Sequence, residues 1–380
     1  MTKSPALRPL RSLRSLRPVQ SLRRLAAVAC TLAGVAATAT AQTNWRHDAV
    51  PFYDTTHALQ SLYGHWALPR AGDFATAAQA LPPALRALCE AQPAQAGAAL
   101  DSARGAWRSA MLAWESLGAV AVGPVIARRT QRQIDFAPTR PQLIERAIKT
   151  QPQGAKAFER VGTPAKGLPA LEWLLWTQPA QPATPACRYA VEAALDVERE
   201  AVALKAAFDT AATTDWAAED EQERSTQAMG EFINQWVGGI ERLRWAHMEK
   251  PLRAAQGTRA PDYPRAASGL TPEAWAAEWK ALRTLTVLSE GAALPKPGEA
   301  LVPLETYLRG RGLNPLADQL RATAARIDTA MAAAQKAGAA EGGPQVLEAA
   351  KELSALKRLA EAEVAPALQV SIGFSDADGD

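Results

Sequence analysis

The residue with the strongest claim to chemistry is Glu172, the single acid in the stretch Lys166-Gly167-Leu168-Pro169-Ala170-Leu171-Glu172-Trp173-Leu174-Leu175-Trp176. The stretch follows a breaker cluster, Gly162-Thr163-Pro164. Gly167 can take backbone conformations that other residues avoid. Pro169 suits the first turn of a helix, where its missing N–H goes unmissed. Around Glu172 the residues are apolar on nearly every side, which predicts a short buried helix. Burying a carboxylate without a partner is costly, so Glu172 is expected to be paired, protonated or turned toward a polar pocket. It either serves a ligand, as a metal ligand or the central polar group of a binding site, or holds a structural ion pair; the residues alone leave both open.

Other residues could complete such a site. Arg128 and Arg132 follow the sharp Gly123-Pro124 stop and could pair with Glu172 or bind a small anionic ligand; the alternative is a solvated basic loop. Trp107 and Trp114 share one helical face, a spacing that reads as core packing more readily than as a ligand platform. Ser268 and Arg283 are candidate contributors from the second half of the chain. The histidines, His47, His57, His65 and His247, lack the spacing of three or four that lets two side chains on one helix share a metal. No His-Glu-x-x-His, phosphate loop or Ser/His/Asp signature stands out. The tail Asp376-Ala377-Asp378-Gly379-Asp380 is similar to the opening of a calcium loop but lacks its later Gly and Glu, so it reads as solvated.

The elements that must position these residues are helical. Apolar residues recur at spacings of three and four, as in the stripe Leu100, Ala103, Trp107, Ala110, Trp114, Leu117 and the stripe Met229, Phe232, Ile233, Trp236, Ile240, Leu243. Helices are predicted near 75–90, 98–118, 142–150, 166–176, 186–211, 222–249, 272–290, 314–338 and 343–364, separated by Pro and Gly clusters. The expected fold is all-α, two helical-bundle domains of similar up-down build, with an N-terminal bundle over 42–213 and a C-terminal bundle with an extended tail over 214–380.

Residues 1–41 read as a secretory signal peptide. They carry seven basic residues and no acid, then an apolar run from Leu25 to Val35, and close on Ala39-Thr40-Ala41, with cleavage expected before Gln42. The apolar run is shorter than the roughly 20 residues of a membrane span, so no transmembrane segment is expected in the mature chain. The full chain has 42 Lys+Arg against 39 Asp+Glu, net +3. Without the seven leader cations, 35 basic residues face 39 acids, net −4, which argues against nucleic acid as a partner. Processing also removes Cys30 and leaves Cys89 and Cys187. In an oxidising compartment the two predict a disulfide, since one ends a predicted helix and the other begins one; two separate thiols are the alternative.

Three segments, in order, resemble the imelysin family, exported bacterial proteins also called iron-regulated protein A-like and historically grouped with metallopeptidases. Trp107-Arg108-Ser109-Ala110-Met111-Leu112-Ala113-Trp114 with Gly123-Pro124 looks like the family's Trp helix. Gly167 to Trp176 is similar to the motif Gly-x-His-x-x-Glu followed by an apolar helix. The third segment runs from Leu356-Lys357-Arg358 through Ala367-Leu368-Gln369-Val370-Ser371-Ile372-Gly373-Phe374. The resemblance implies two related helical bundles, an envelope role in iron or other metal acquisition, and a metal site at the motif. Gly167 and Glu172 match the motif, but Pro169 stands where the histidine belongs, and proline cannot ligate a metal. The expectation is therefore a periplasmic binding protein, not an enzyme, with Glu172 as the central group and iron or another divalent metal, or a small anion, as ligand. The alternatives are a metal-dependent peptidase and an interaction scaffold among envelope protein partners.

Overall fold

The computed structural model describes residues 49–255 and 260–373. The leader at 1–41, His47 and the acidic tail at 376–380 lie outside the described residues. The principal helices are α1 (Leu68–Gln79), α2 (Leu81–Glu90), α3 (Ala96–Gly118), α4 (Gly167–Glu172), α5 (Pro185–Ala212), α6 (Gln222–Glu241), α7 (Thr271–Thr286), α8 (Asn314–Glu341) and α9 (Gly343–Leu359). No strand occurs among the described residues, so the fold is all-α. Shorter helices that the apolar pattern had not resolved include Thr55–Ser61 and Leu304–Gly310. No helix among the described residues is long and apolar enough to cross a membrane.

Local chemistry explains the helix starts. Proline occupies the first turn of α1, α2, α5, α7, α8 and α9, where it forfeits no intrahelical hydrogen bond. Thr184 caps α5 by accepting from the backbone N–H of Cys187 at 3.2 Å. That cap holds the cysteine in place, and Cys187 is bonded to Cys89 at the end of α2 with a Cα–Cα distance of 5.5 Å. The predicted disulfide is formed. It closes a loop of 98 residues, which in the chain-entropy picture stabilises the fold by about 4–5 kcal/mol.

In the first half, α5 packs across α1, α2 and α4, and α3 lies on α1 and α2. In the second half, α8 packs on α9 and α7, and α9 on α6. Helix α7 also crosses α3 directly, which brings residues of the two halves face to face. Glycine permits a second close crossing. A Cβ at Gly239 would lie 2.1 Å from the carbonyl oxygen of Ala119, so α6 can press against the end of α3 only with glycine there. The guanidinium of Arg242 donates to the carbonyls of Gly118 and Ala119 at the same place.

The tryptophans fasten this arrangement. Trp66, Trp107, Trp114, Trp236 and Trp275 are fully buried, and each indole N–H donates across the fold: to Ala281 O, Leu168 O, Asp135 Oδ2, Thr286 Oγ1 and His247 O respectively. A buried indole needs such a partner, so each ring fixes a distance as well as filling space.

The Gly239→Ala variant is expected to lose about 1–3 kcal/mol of stability through overpacking. Gly230→Ala in the same helix, where an added Cβ meets nothing within 4 Å, is expected to gain up to about 1 kcal/mol. Urea unfolding midpoints check the opposite signs.

Candidate functional site

The region around Glu172 is built by six segments. Helix α4 supplies Glu172 itself. Gly167 starts α4 at φ +77°, and a Cβ there would fall 2.5 Å from Ile134 O and 2.8 Å from Gln133 O. Glycine therefore serves twice, by its backbone angle and by letting α4 touch the segment that ends at Asp135. Trp107 of α3 donates to Leu168 O at 2.9 Å, and its ring meets Trp176 edge-on at 5.0 Å. Arg104 and Arg108, one turn apart on α3, both lie over the Trp176 ring. Pro169 is buried in the first turn of α4.

A loop from 260 to 270 then threads into the core. Ser268 donates its backbone N–H to Glu172 Oε1 at 2.9 Å, and its hydroxyl donates to Arg265 O. Arg108 donates to the carbonyl oxygen of the same serine. Arg265 has a left-handed backbone, φ +65°, which is uncommon for a non-glycine residue and signals a constrained position. Its side chain donates to Glu115 Oε1 of α3 at 3.0 Å and to Asp135 Oδ2 at 2.5 Å. Asp135 also accepts from the Trp114 indole at 3.2 Å.

Two further groups adjoin Glu115. His247 lies on a π-helical stretch, Arg242–Glu249, that continues α6. Its Nδ1 is 2.6 Å from Glu278 Oε1 of α7. One ligating atom from each of Glu115, His247 and Glu278 falls within 4.8 Å of the others. Glu115 is 4% exposed, Glu172 6%, Glu278 1% and Arg265 5%, so three carboxyl groups and one guanidinium are buried in this region. Glu278 Oε2 and Asp135 Oδ1 are buried and find no hydrogen-bond partner among the described residues.

Burial pushes the Glu115 carboxyl up to about 7, against the opposing pull of Arg265, with Glu278 and Asp135 adding to the rise. Burial by itself would lower His247, but the neighbouring charge of Glu278 and its hydrogen bond outweigh that and raise it. Burial would likewise raise Asp135; Arg265 overcomes it and holds the carboxyl below its ordinary range.

Of the residues expected from sequence, Glu172, Gly167, Pro169, Trp107 and Ser268 meet here, and Trp114 joins through Asp135. Three arginines do not. Arg128 forms a bidentate pair with Glu200 of α5, at 3.0 and 2.7 Å, and Thr130 bonds the same carboxylate. The left-handed turn at Arg129 separates Arg128 from α4 and sends it to α5. Arg132 is exposed. Arg283 lies on Asp328 of α8, 2.7 Å away, beside the Trp279 indole. The arginine that acts electrostatically on Glu172 is Arg265.

The histidines lack metal spacing along one helix, yet His247 meets Glu115 and Glu278, which come from distant segments. Spacing along one helix could not reveal this. A signal was nonetheless present: His247 extends the stripe Trp236, Ile240, Leu243, and Glu278 falls in the stripe Trp275, Leu282, Leu285. A titratable side chain in a core stripe must find a partner inside the fold.

The imelysin (peptidase M75) family profile matches residues 67–360, and the chain belongs to this family. Among solved structures, an imelysin-like protein from Psychrobacter arcticum 273-4 superposes with a TM-score of 0.66 at 19% identity, covering 84% of this chain and 97% of that one. A protein assigned as an iron-regulated protein A precursor, from Parabacteroides distasonis ATCC 8503, superposes with a TM-score of 0.64 at 15% identity, covering 80% and 93%. At these identities the likeness is one of fold. No curated protein matches the chain.

The raised Glu115 and His247 bind more protons in the folded than in the unfolded chain between their ordinary and folded values. Stability should therefore fall as pH rises from about 4.5 to about 7. Glu115→Gln removes one of the two groups and should flatten that slope, which chemical denaturation across pH 4.5–7.5 will read.

Proposed function

We propose that this protein is an exported, non-catalytic imelysin-like binding protein of the bacterial envelope that takes up a metal ion, iron or another divalent cation, at the buried polar cluster around Glu172 and Arg265. The reading rests on one observation above all: three carboxyl groups buried with a single guanidinium, one of them with an unpartnered oxygen. Burying carboxyl groups is unfavourable unless something neutralises them, and a divalent cation would add to the positive charge that Arg265 supplies. The donors suit the cargo, since carboxylate oxygens and an imidazole together accept iron, manganese or zinc.

The other strands of the reading agree. Glu115, Asp135 and Glu172 come from the half before residue 214, and His247, Arg265 and Glu278 from the half after it, so a cluster between two helical halves is how we read the site. The disulfide fits an oxidising compartment such as the periplasm. The leader sequence, cleaved before Gln42, would deliver the chain there. The likeness in fold to a protein assigned as iron-regulated supports iron as the first cation to try.

Metal analysis of the purified mature protein after anaerobic incubation with Fe2+, and in parallel with Zn2+, is expected to find about one ion per chain. No ion above background in the wild type would overturn the reading and move the assignment to a small anion or a protein partner.

A further inference from the structure

We infer that the cation is held by Glu115, His247 and Glu278, and that Glu172 of the family motif is a positioning residue and not a ligand. This rests on the metal-binding reading above and assigns the atoms that perform it.

The geometry separates the two groups of residues. In the motif segment Lys166, the Leu168 carbonyl and one carboxylate oxygen of Glu172 are held by protein. Lys166 pairs with Asp196 at 3.3 Å, Leu168 O accepts from Trp107, and Glu172 Oε1 accepts from the backbone of Ser268. Pro169 has no side-chain donor to offer. The segment is thus a clamp on the 260–270 loop, and through Ser268 and Arg265 it fixes where Glu115 and Asp135 lie.

The trio differs in the respects a cation needs. It combines two carboxylates with an imidazole, a set that suits iron, manganese or zinc better than magnesium or calcium. Its ligating atoms lie within 4.8 Å of one another. Donors around one tetrahedral ion with bonds of 2.0–2.2 Å are about 3.4 Å apart, so small side-chain rotations close the set. Glu278 is almost wholly buried and its Oε2 has no partner among the described residues. Glu278 thus keeps one oxygen available to a ligand, in a group that also holds an imidazole and a second carboxylate. The supporting contacts are those that orient ligands in metal sites. Arg265 holds Glu115 through Oε1, and Trp275 grips the carbonyl of His247 at 3.0 Å. The π-helical turn that carries His247 is a backbone form often found at functional sites.

The test measures Zn2+ and Co2+ binding by calorimetry and metal analysis on the full mature chain and its Glu278→Gln, His247→Gln and Glu172→Gln variants, with thermal melting to confirm folding. The wild type should bind one ion, and loss of either ligand should weaken binding at least 100-fold. Glu172→Gln should keep the stoichiometry and lose no more than about 10-fold, the lower range for an outer-shell change. A wild type loaded with Cu2+ should show one coordinated imidazole in its pulsed EPR spectrum, a readout that needs no variant to fold. Binding lost in Glu172→Gln but kept in Glu278→Gln, or an EPR spectrum without imidazole, would overturn the assignment while leaving the binding reading intact. Equal binding by all variants would also overturn it. No binding by the wild type would instead overturn the binding reading.

Discussion

The constraint on which the rest depends is the burial of Arg265 between Glu115 and Asp135. A guanidinium and two carboxylates withdrawn from water each forfeit several kcal/mol of hydration, and only close mutual contact offsets that cost. Here the contacts are 2.5 and 3.0 Å, and they tie three segments far apart in sequence: α3, the end of the 130–134 helix and the 260–270 loop. The left-handed backbone at Arg265 follows from the same demand, since the loop must turn to deliver the side chain inward. Removing one member of such a group leaves the others charged and unpaired, which typically costs about 3–5 kcal/mol. The hub is therefore as much a tertiary lock as an electrostatic device.

The tryptophans solve the companion problem of placing a polar cluster in an apolar interior. Indole donors on Leu168, Asp135 and His247 set fixed spacings around the cluster. Two glycines then permit the approaches that the indoles demand, Gly167 against Ile134 and Gly239 against Ala119. Rigid aromatic spacers and glycine contacts together let four acids and a histidine coexist without collapse of the surrounding core.

The helical fold was legible in the sequence because its apolar stripes are long and regular. The predicted ranges 98–118, 186–211 and 222–249 match Ala96–Gly118, Pro185–Ala212 and the α6 helix with its π-helical continuation to Glu249. The disulfide was legible because only two cysteines remain outside the leader. Glu172 was legible as an acid in an apolar helix, and the backbone N–H of Ser268 meets it. The arginine partner was not. Arg128 lies close to Glu172 in sequence, but the turn at Arg129 sends it to Glu200, while Arg265 arrives from 93 positions further on. Sequence proximity is a poor guide when tertiary folding decides which charges meet. His247 and Glu278 escaped notice for a related reason: metal spacing rules describe side chains on one element, and these two lie on different ones.

Proline at the motif's histidine position then has a physical consequence. In a helix beginning at Gly167, residue 169 lies in the first turn, where proline is tolerated because no intrahelical donor is lost. Its ring packs into the core and stiffens the turn that Trp107 grips from one side and the 130–134 segment from the other. Proline there gives a rigid support for Glu172 and the loop it holds. An imidazole is available instead from His247, on the opposite half of the chain, facing Glu115 and Glu278. The polar chemistry of the cluster is thereby divided: the motif segment fixes the architecture, and Glu115, Glu278 and His247 lie on α3, α7 and the π-helical continuation of α6.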